Sequence, residues 1–258
     1  MSRADGGTVT KLAYGVGGFL VFFAIWEVLS DFVVRNPLFL PSFSSVVVAA
    51  VTETDYGALT SALTVTLRNF GIGMVIAGAL AIPTGFVFGW YRRVRQVFSP
   101  LFSALYAAPL IAIMPAIIVI FGVFDVSKII LVVLAAFFPL AINVESGVRN
   151  IDSYMVEMAR SFGATDRQIF RTIAFRAAVP YTLAGLRLAI GRGLVFIIIA
   201  EMFASTNGIG YIISTYADTF QMTKMFVPVF LVVLIAVILI AAVQLFEARV
   251  QGWKPSNH

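Results

Sequence analysis

The chain alternates long apolar stretches with short charged ones, and that pattern predicts six membrane-crossing helices. A hydrocarbon core of about 30 Å takes roughly 20 mostly apolar residues per helix. Six segments meet this need, at about 12–33, 67–90, 98–122, 128–148, 182–204 and 224–246. Asn69–Tyr91, Val97–Phe124 and Met225–Phe246 contain no charged residue. The fifth segment is the weakest, because Arg187 and Arg192 stand near its start and Glu201 near its end. The third carries Pro109 and Pro115 and is expected to be bent or partly unwound, which lipid tolerates only where protein or water satisfies the freed backbone groups. The first apolar stretch, from Leu12, is long for a signal-peptide core, and no small-x-small cleavage pattern precedes Arg35 and Asn36, so it reads as a retained helix. Between the first two spans, residues 34–60 exceed a tight turn; Leu40-Pro-Ser42 followed by Val46, Val47 and Val48 suggests an interfacial segment on the outer face.

The second span also shows how the helices meet. Gly73, Ala77, Ala81, Gly85 and Gly89 recur every four residues, and Gly85 to Gly89 is a GxxxG. Small residues let backbones approach in a medium that offers no hydrophobic drive for association. Internal packing is the simpler reading and a subunit interface the other; both put this helix in a crowded bundle.

Composition agrees with the pattern. Of 258 residues 60% are hydrophobic and 12% charged, too little charge to cover a water-soluble surface. There is no cysteine, and the one histidine is the last residue, His258, which excludes disulfides and leaves nothing for a soft-metal site. With the N-terminus placed in the cytoplasm, 14 of the 18 basic residues fall inside, and only Arg35, Arg68, Lys128 and Lys224 outside. The positive-inside rule therefore puts both termini in the cytoplasm. The net charge of +5 is mainly this topology signal, and its spread over several loops argues against a nucleic-acid partner.

Residues 150–180 do not read as membrane filler. Asp152 can cap, and Gly163 can end, a helix of about ten residues whose Tyr154, Met155, Met158 and Phe162 form an apolar stripe. Thr165-Asp-Arg-Gln168 fits a capping box opening a second helix, with Ile169, Ile173 and Ala177 on one side and Arg167 and Arg171 on another. Two short amphipathic helices joined by a glycine turn suit a soluble partner, or equally a headgroup layer rich in anionic lipid.

Glu157-Met-Ala159, then Gly163 three residues on and Ile173 nine further, resembles the EAA loop of ABC-importer permeases, which reads Glu-Ala-Ala, three residues, Gly, nine residues, Ile-x-Leu-Pro. Glu157–Ala164, Pro180–Leu188, Ala200-Glu-Met202, Gly208-Ile-Gly-Tyr211 and Leu40-Pro-Ser42 resemble the sulfonate, taurine and nitrate branch, and the likeness runs over about residues 38–254. Two departures stand out: Met158 is the middle of the Glu-Ala-Ala triplet, and Arg176 stands where the motif has proline, with Pro180 four residues later. A second helix longer or differently angled than usual is the expected consequence.

The resemblance implies an all-α membrane protein of the type I ABC importer permease (MetI-like) fold. It implies one permease domain over 1–258, with a core at about 60–250, a peripheral first helix at about 12–33 and a cytoplasmic coupling loop at about 150–180. It further implies a multi-pass protein of the bacterial inner membrane whose partners are two ABC ATPase subunits, a second permease copy (a homodimer) and an extracytoplasmic solute-binding protein. The solute would be a small organic or inorganic anion such as a sulfonate, taurine, nitrate or an aromatic acid. No phosphate-binding G-x-x-x-x-G-K-[ST] loop is present, so the chain is expected to be no enzyme, with no catalytic or metal residues, and ATP and magnesium would sit on the partner ATPase. The coupling residues carried over are Glu157, Met158, Ala159, Arg160, Phe162, Gly163, Ile173 and Pro180. Glu157 is expected to pair with an arginine such as Arg160, and Met158 and Phe162 to be apolar knobs.

Glu201 is read as a gate or helix anchor on one side and as an interfacial exposed acid on the other. Glu145 sits near the inner end of the fourth span, and Glu27 and Asp31 read as structural. No cluster of polar residues marks a solute site. The alternative class, a stand-alone secondary transporter or channel, would want inverted repeats and a midplane acid. An integral membrane enzyme would want metal ligands or a nucleophile–base pair.

Overall fold

A computed structural model describes residues 5–251; His258, like Arg3 and Lys254 of the inside basic set, lies outside the described residues. Among the described residues there are helices and no strands. In chain order they are α1 (Asp5–Val28) with a π-helical turn (Leu29–Val34), α2 (Phe43–Thr52), α3 (Tyr56–Trp90), α4 (Arg92–Ala107), α5 (Leu110–Phe121), α6 (Asp125–Arg149), α7 (Ser153–Ser161), α8 (Asp166–Ile169) with a π-helical turn (Phe170–Ala174), α9 (Phe175–Ala204), α10 (Ile209–Asp218) and α11 (Met222–Gln251). Five helices are long and apolar enough to cross a bilayer, and counting the bent pair α4–α5 as one span brings the number to six.

The third span breaks by 88° at Ala108–Pro109. Ala108 is extended, at φ −61° and ψ 137°, as a residue before proline prefers. Pro115 leaves α5 continuous. Of the two prolines expected to disturb this span, only Pro109 breaks it.

The fifth span is a correction to the sequence reading. It runs without a break from Asp166 to Phe203, so 182–204 is only its second half. The second loop helix, read as one of two short helices but expected to be longer or differently angled than the motif's, is the beginning of the same helix. Arg176, which stands where the motif has proline, lies in the first turn of α9, directly after the π-helical turn Phe170–Ala174. Pro180 sits inside α9, where it costs one hydrogen bond but does not stop the helix. Arg187 and Arg192 consequently lie well along a span instead of near its start.

Two compact units are present. One comprises residues up to Thr60 with Ile212–Leu231. In it Glu27 accepts from the backbone N–H of Ser44 at 3.1 Å and from its hydroxyl, holding the first turn of α2, and Trp26 Nε1 donates to the Pro41 carbonyl at 2.9 Å. Ser42 caps α2, and Phe23, Phe43, Phe226 and Phe230 pack around Trp26. The 34–60 stretch thus contains a capped helix, and Glu27 has a structural role.

The other unit comprises Ser61–Tyr211 with residues from Val232 onward. Its core is built where α6 meets α3 and α9. Ala77 and Ala81 are fully buried in α3. A Cβ added at Gly73 would stand 2.6 Å from Val132, one at Gly85 2.6 Å from the Ala141 carbonyl and Val144, and one at Gly89 2.5 Å from Val148. The small-residue stripe is therefore filled by α6 of the same chain. On α9 the pattern repeats, since Gly185 faces Asn143 and Leu140 of α6. Such close approach maximises dispersion contact, the available cohesive force between helices in lipid.

Candidate functional site

The Gly163 turn is specified residue by residue. Asp152 accepts from the Tyr154 N–H at 2.9 Å and starts α7. At its other end Gly163 N–H donates to the Arg160 carbonyl at 2.9 Å and Ala164 N–H to the Ala159 carbonyl at 3.0 Å, the paired bonds of a Schellman ending. That ending needs a left-handed residue, and Gly163 has φ +81°. Thr165 and Gln168 then form a reciprocal capping box: Thr165 N–H donates to Gln168 Oε1 at 2.8 Å, and Gln168 N–H to Thr165 Oγ1 at 3.4 Å.

The turn displays apolar surface. Phe162, the residue closing α7, is 86% exposed and Tyr154 72%, and Met155 and Met158 are also exposed. Glu157 is exposed beside them, and Ala159 is half-buried. The expected Glu157–Arg160 pair is not what forms; Arg160 reaches across the turn to Asp166 at 3.1 Å, because the Schellman ending folds α8 back toward it. Ile173 lies half-buried in the π-helical turn and Pro180 within α9, so neither joins the exposed face of α7.

Behind the turn an aromatic cluster links the π-helical turn and the start of α9 to the end of α3. Phe170 meets Phe86 at 5.4 Å and Trp90 at 5.2 Å, both edge-on, and Phe175 stacks on Phe86 at 5.7 Å. A cavity of about 420 Å³ opens beside this cluster between Val87, Tyr91, Asp166 and Arg167. A displacement of α7 and α8 would thus bear on the membrane core through packed rings, a contiguous connection.

The end of the same unit away from this turn holds a polar cluster that sequence reading missed. Glu201 has no exposed surface. The Thr66 hydroxyl lies 2.9 Å from both of its carboxylate oxygens, and the Gly210 N–H donates to it at 3.0 Å. Thr66 in turn accepts from the Ile209 N–H at 2.9 Å. Beside it Asp125 accepts from Asn69 at 2.9 Å, from Lys128 at 3.1 Å and from Arg68. Lys128, only 4% exposed, also donates to Ser205 Oγ at 2.9 Å. Every buried side-chain nitrogen and oxygen among the described residues has a partner, as burial in a low dielectric demands. The cluster ties α3, α6, α9 and α10 together, and the exposed reading of Glu201 is overturned by its burial. Its parts come from positions 66, 68, 69, 125, 128, 201 and 205–210, and the sequence hints were the charge of Glu201 within a span and the family likeness of Ala200-Glu-Met202 and Gly208-Ile-Gly-Tyr211.

This arrangement of spans and turn has counterparts among known proteins. The family model for "Binding-protein-dependent transport system inner membrane component" matches residues 81–252. The chain is 31% identical over 235 residues to the putative aliphatic sulfonates transport permease protein SsuC of Escherichia coli (strain K12), covering 91% of this chain and 89% of that protein. It is 28% identical over 236 residues to the protein of the same description from Bacillus subtilis (strain 168), covering 92% and 86%. With the taurine transport system permease protein TauC of Escherichia coli (strain K12) it shares 25% identity over 248 residues, covering 94% and 90%. A solved structure of the MetNI methionine ABC transporter, in inward-facing conformations, matches with a TM-score of 0.61 at 19% identity, covering 77% of this chain and 97% of that one.

Proposed function

The chain belongs to the family of binding-protein-dependent transport system inner membrane components, and from that premise we propose how its parts divide the work of import. It is the transmembrane permease subunit of an ATP-binding-cassette importer, a multi-pass inner-membrane protein and not itself an ATPase. Its solute is a small anion of the sulfonate and taurine class, the substrates named for its relatives. Two copies of the chain form the pathway, and an extracytoplasmic binding protein delivers the solute to it. Each copy seats the Gly163 turn, on the cytoplasmic side with both termini, in a groove of one ATPase subunit, which holds ATP and magnesium.

The observation that carries the docking assignment is the face of α7. A short helix closed by a Schellman turn presents Tyr154, Met155, Met158 and Phe162 outward, beyond the spans, where water would leave them uncovered. Met158 and Phe162 enter the ATPase, Glu157 supplies a polar contact at the rim, and the Phe86–Phe170–Trp90 cluster passes motion into α3. Closure of the ATPase pair on ATP then drives the permeases between inward-open and outward-open states.

The test is affinity purification of the tagged chain from its native membrane, followed by uptake assays. Wild type should bring down an ATPase and a solute-binding protein. Phe162→Asp should insert normally yet recover at least about tenfold less ATPase, since a charge in an apolar socket costs more than about 1.4 kcal/mol. Recovery of no ATPase by wild type, with uptake persisting, would hand the chain to the secondary-transporter reading.

A further inference from the structure

Arg192 is a cation inside a span with no carboxylate partner among the described residues. At 1.5 Å per residue the helix rises roughly 16 Å from Arg192 to Phe203, about half of a 30 Å hydrocarbon core. An arginine at that depth is costly wherever it faces lipid, and such residues turn instead toward the bundle interior or a water-filled cavity. Yet Arg192 is exposed, and its guanidinium carbon lies over the ring of Tyr106, 4.7 Å from the centroid. Nearby, Arg187 of the same helix is half-buried and paired with Glu247, so these two of the three arginines on α9 have different fates.

The surroundings of Arg192 are a cavity and the break in the neighbouring span. A cavity of about 260 Å³ adjoins it, lined by Tyr106, Ala108, Leu110, Gly191, Val195 and Phe196. Ala108 and Leu110 flank the 88° break of the third span. Non-helical backbone at membrane depth is tolerated where it borders protein or a water-filled path. Cation, break and cavity thus coincide on one face of the unit. A contrasting surface lies on the middle of α11, where the exposed Val233, Leu234, Val237 and Ile238 are all aliphatic.

We propose that this face lines the aqueous translocation path and that Arg192, steadied by Tyr106, is the group that attracts and briefly holds the anionic head of the solute as it passes the Ala108–Pro109 break. The planar guanidinium suits a sulfonate or carboxylate oxygen pair. A cation–π contact holds the side chain without neutralising it, which leaves the charge available to a passing anion. A side chain already paired, as Arg187 is with Glu247, could not serve in this way. The assignment deepens the import reading and rests on it for the identity of the cargo.

The absence of native cysteine permits a test that needs neither the cargo nor the ATPase. Val195→Cys places a thiol in the cavity lining, and Val237→Cys places one on the aliphatic face. In intact membranes the first should react with water-soluble methanethiosulfonates and the second should not. The Val195→Cys chain should favour the anionic sulfonatoethyl reagent over the cationic trimethylammonioethyl one, and adding Arg192→Gln should lower that ratio roughly tenfold. Arg192→Lys should keep most of the preference. If Arg192→Gln does not accumulate, high salt applied to the Arg192-bearing chain should collapse the ratio by screening. An unreactive thiol in the Val195→Cys chain, or a ratio indifferent to both the substitution and salt, overturns the proposal. These outcomes are independent of whether an ATPase co-purifies, so failure here and failure of the import reading are told apart.

Discussion

The carboxylate of Glu201 sits 3.0 Å from the backbone N–H of Gly210, and this contact is possible only because both Gly208 and Gly210 lack a side chain. Gly208 has φ +115°, and a Cβ on it would overlap the Glu201 carboxylate; a Cβ on Gly210 would run into the Ile198 carbonyl and stand 2.7 Å from Glu201 Cβ. Glycines thus bring the α9–α10 connection down onto a buried acid, which accepts from the Gly210 N–H while Thr66 accepts from that of Ile209.

Gly210→Ala should consequently destabilise the folded chain, by about 1–3 kcal/mol for an overpacked site. The unfolding midpoint of purified protein in mild detergent reads this directly. A midpoint equal to that of wild type would show that the connection can simply lift away.

Glu201→Ala removes the acceptor for the Gly210 N–H and the Thr66 hydroxyl in a site without exposed surface, a loss of about 1–3 kcal/mol. Glu201→Gln keeps an acceptor oxygen and should lose less. Equal stability of the two variants would argue that hydrogen bonding is not what Glu201 contributes.

Gly163 makes a different demand. Nothing lies within 4 Å of where its Cβ would be, so its requirement is backbone conformation alone, at φ +81°. Gly163→Val should reduce uptake severely while insertion and helix content are kept, through a left-handed cost of about 1–2 kcal/mol plus β-branching. Gly163→Asn, which tolerates that conformation, should retain most transport. Loss of transport in both variants would point to a contact role instead.

The α3 stripe separates from its neighbours in the same way. Gly85→Ala must push against the Ala141 carbonyl and Val144, and should lower the yield of folded protein. Gly78→Ala, with nothing within 4 Å, should leave yield unchanged or slightly raised, since alanine favours helix. Side-by-side expression followed by size-exclusion profiles checks both.

The features legible in the sequence are those decided within a few residues. Asp152, Gly163, Thr165 and Gln168 cap and turn their helices through bonds spanning no more than five positions, so their pattern determined the loop, and runs of apolar residues long enough for a bilayer determined the spans. Whether a proline breaks or merely kinks a helix was not local. Pro109 ends α4 and Pro115 does not interrupt α5, because surrounding packing chooses where freed backbone groups can be satisfied. The same holds for Arg160, which chose Asp166 over Glu157 once the turn brought α8 back, and for the fifth span, whose unbroken run from Asp166 joined the loop to the membrane core. Thr66 meets Glu201 across 135 positions, and Arg192 meets Tyr106 on another helix. In an apolar medium a lone polar group is too costly to leave unmatched, yet its match comes from whichever helix packs beside it. Sequence alone therefore raised the question of Glu201, and only the tertiary structure buried it against Thr66 and Gly210 and set Arg192 over Tyr106.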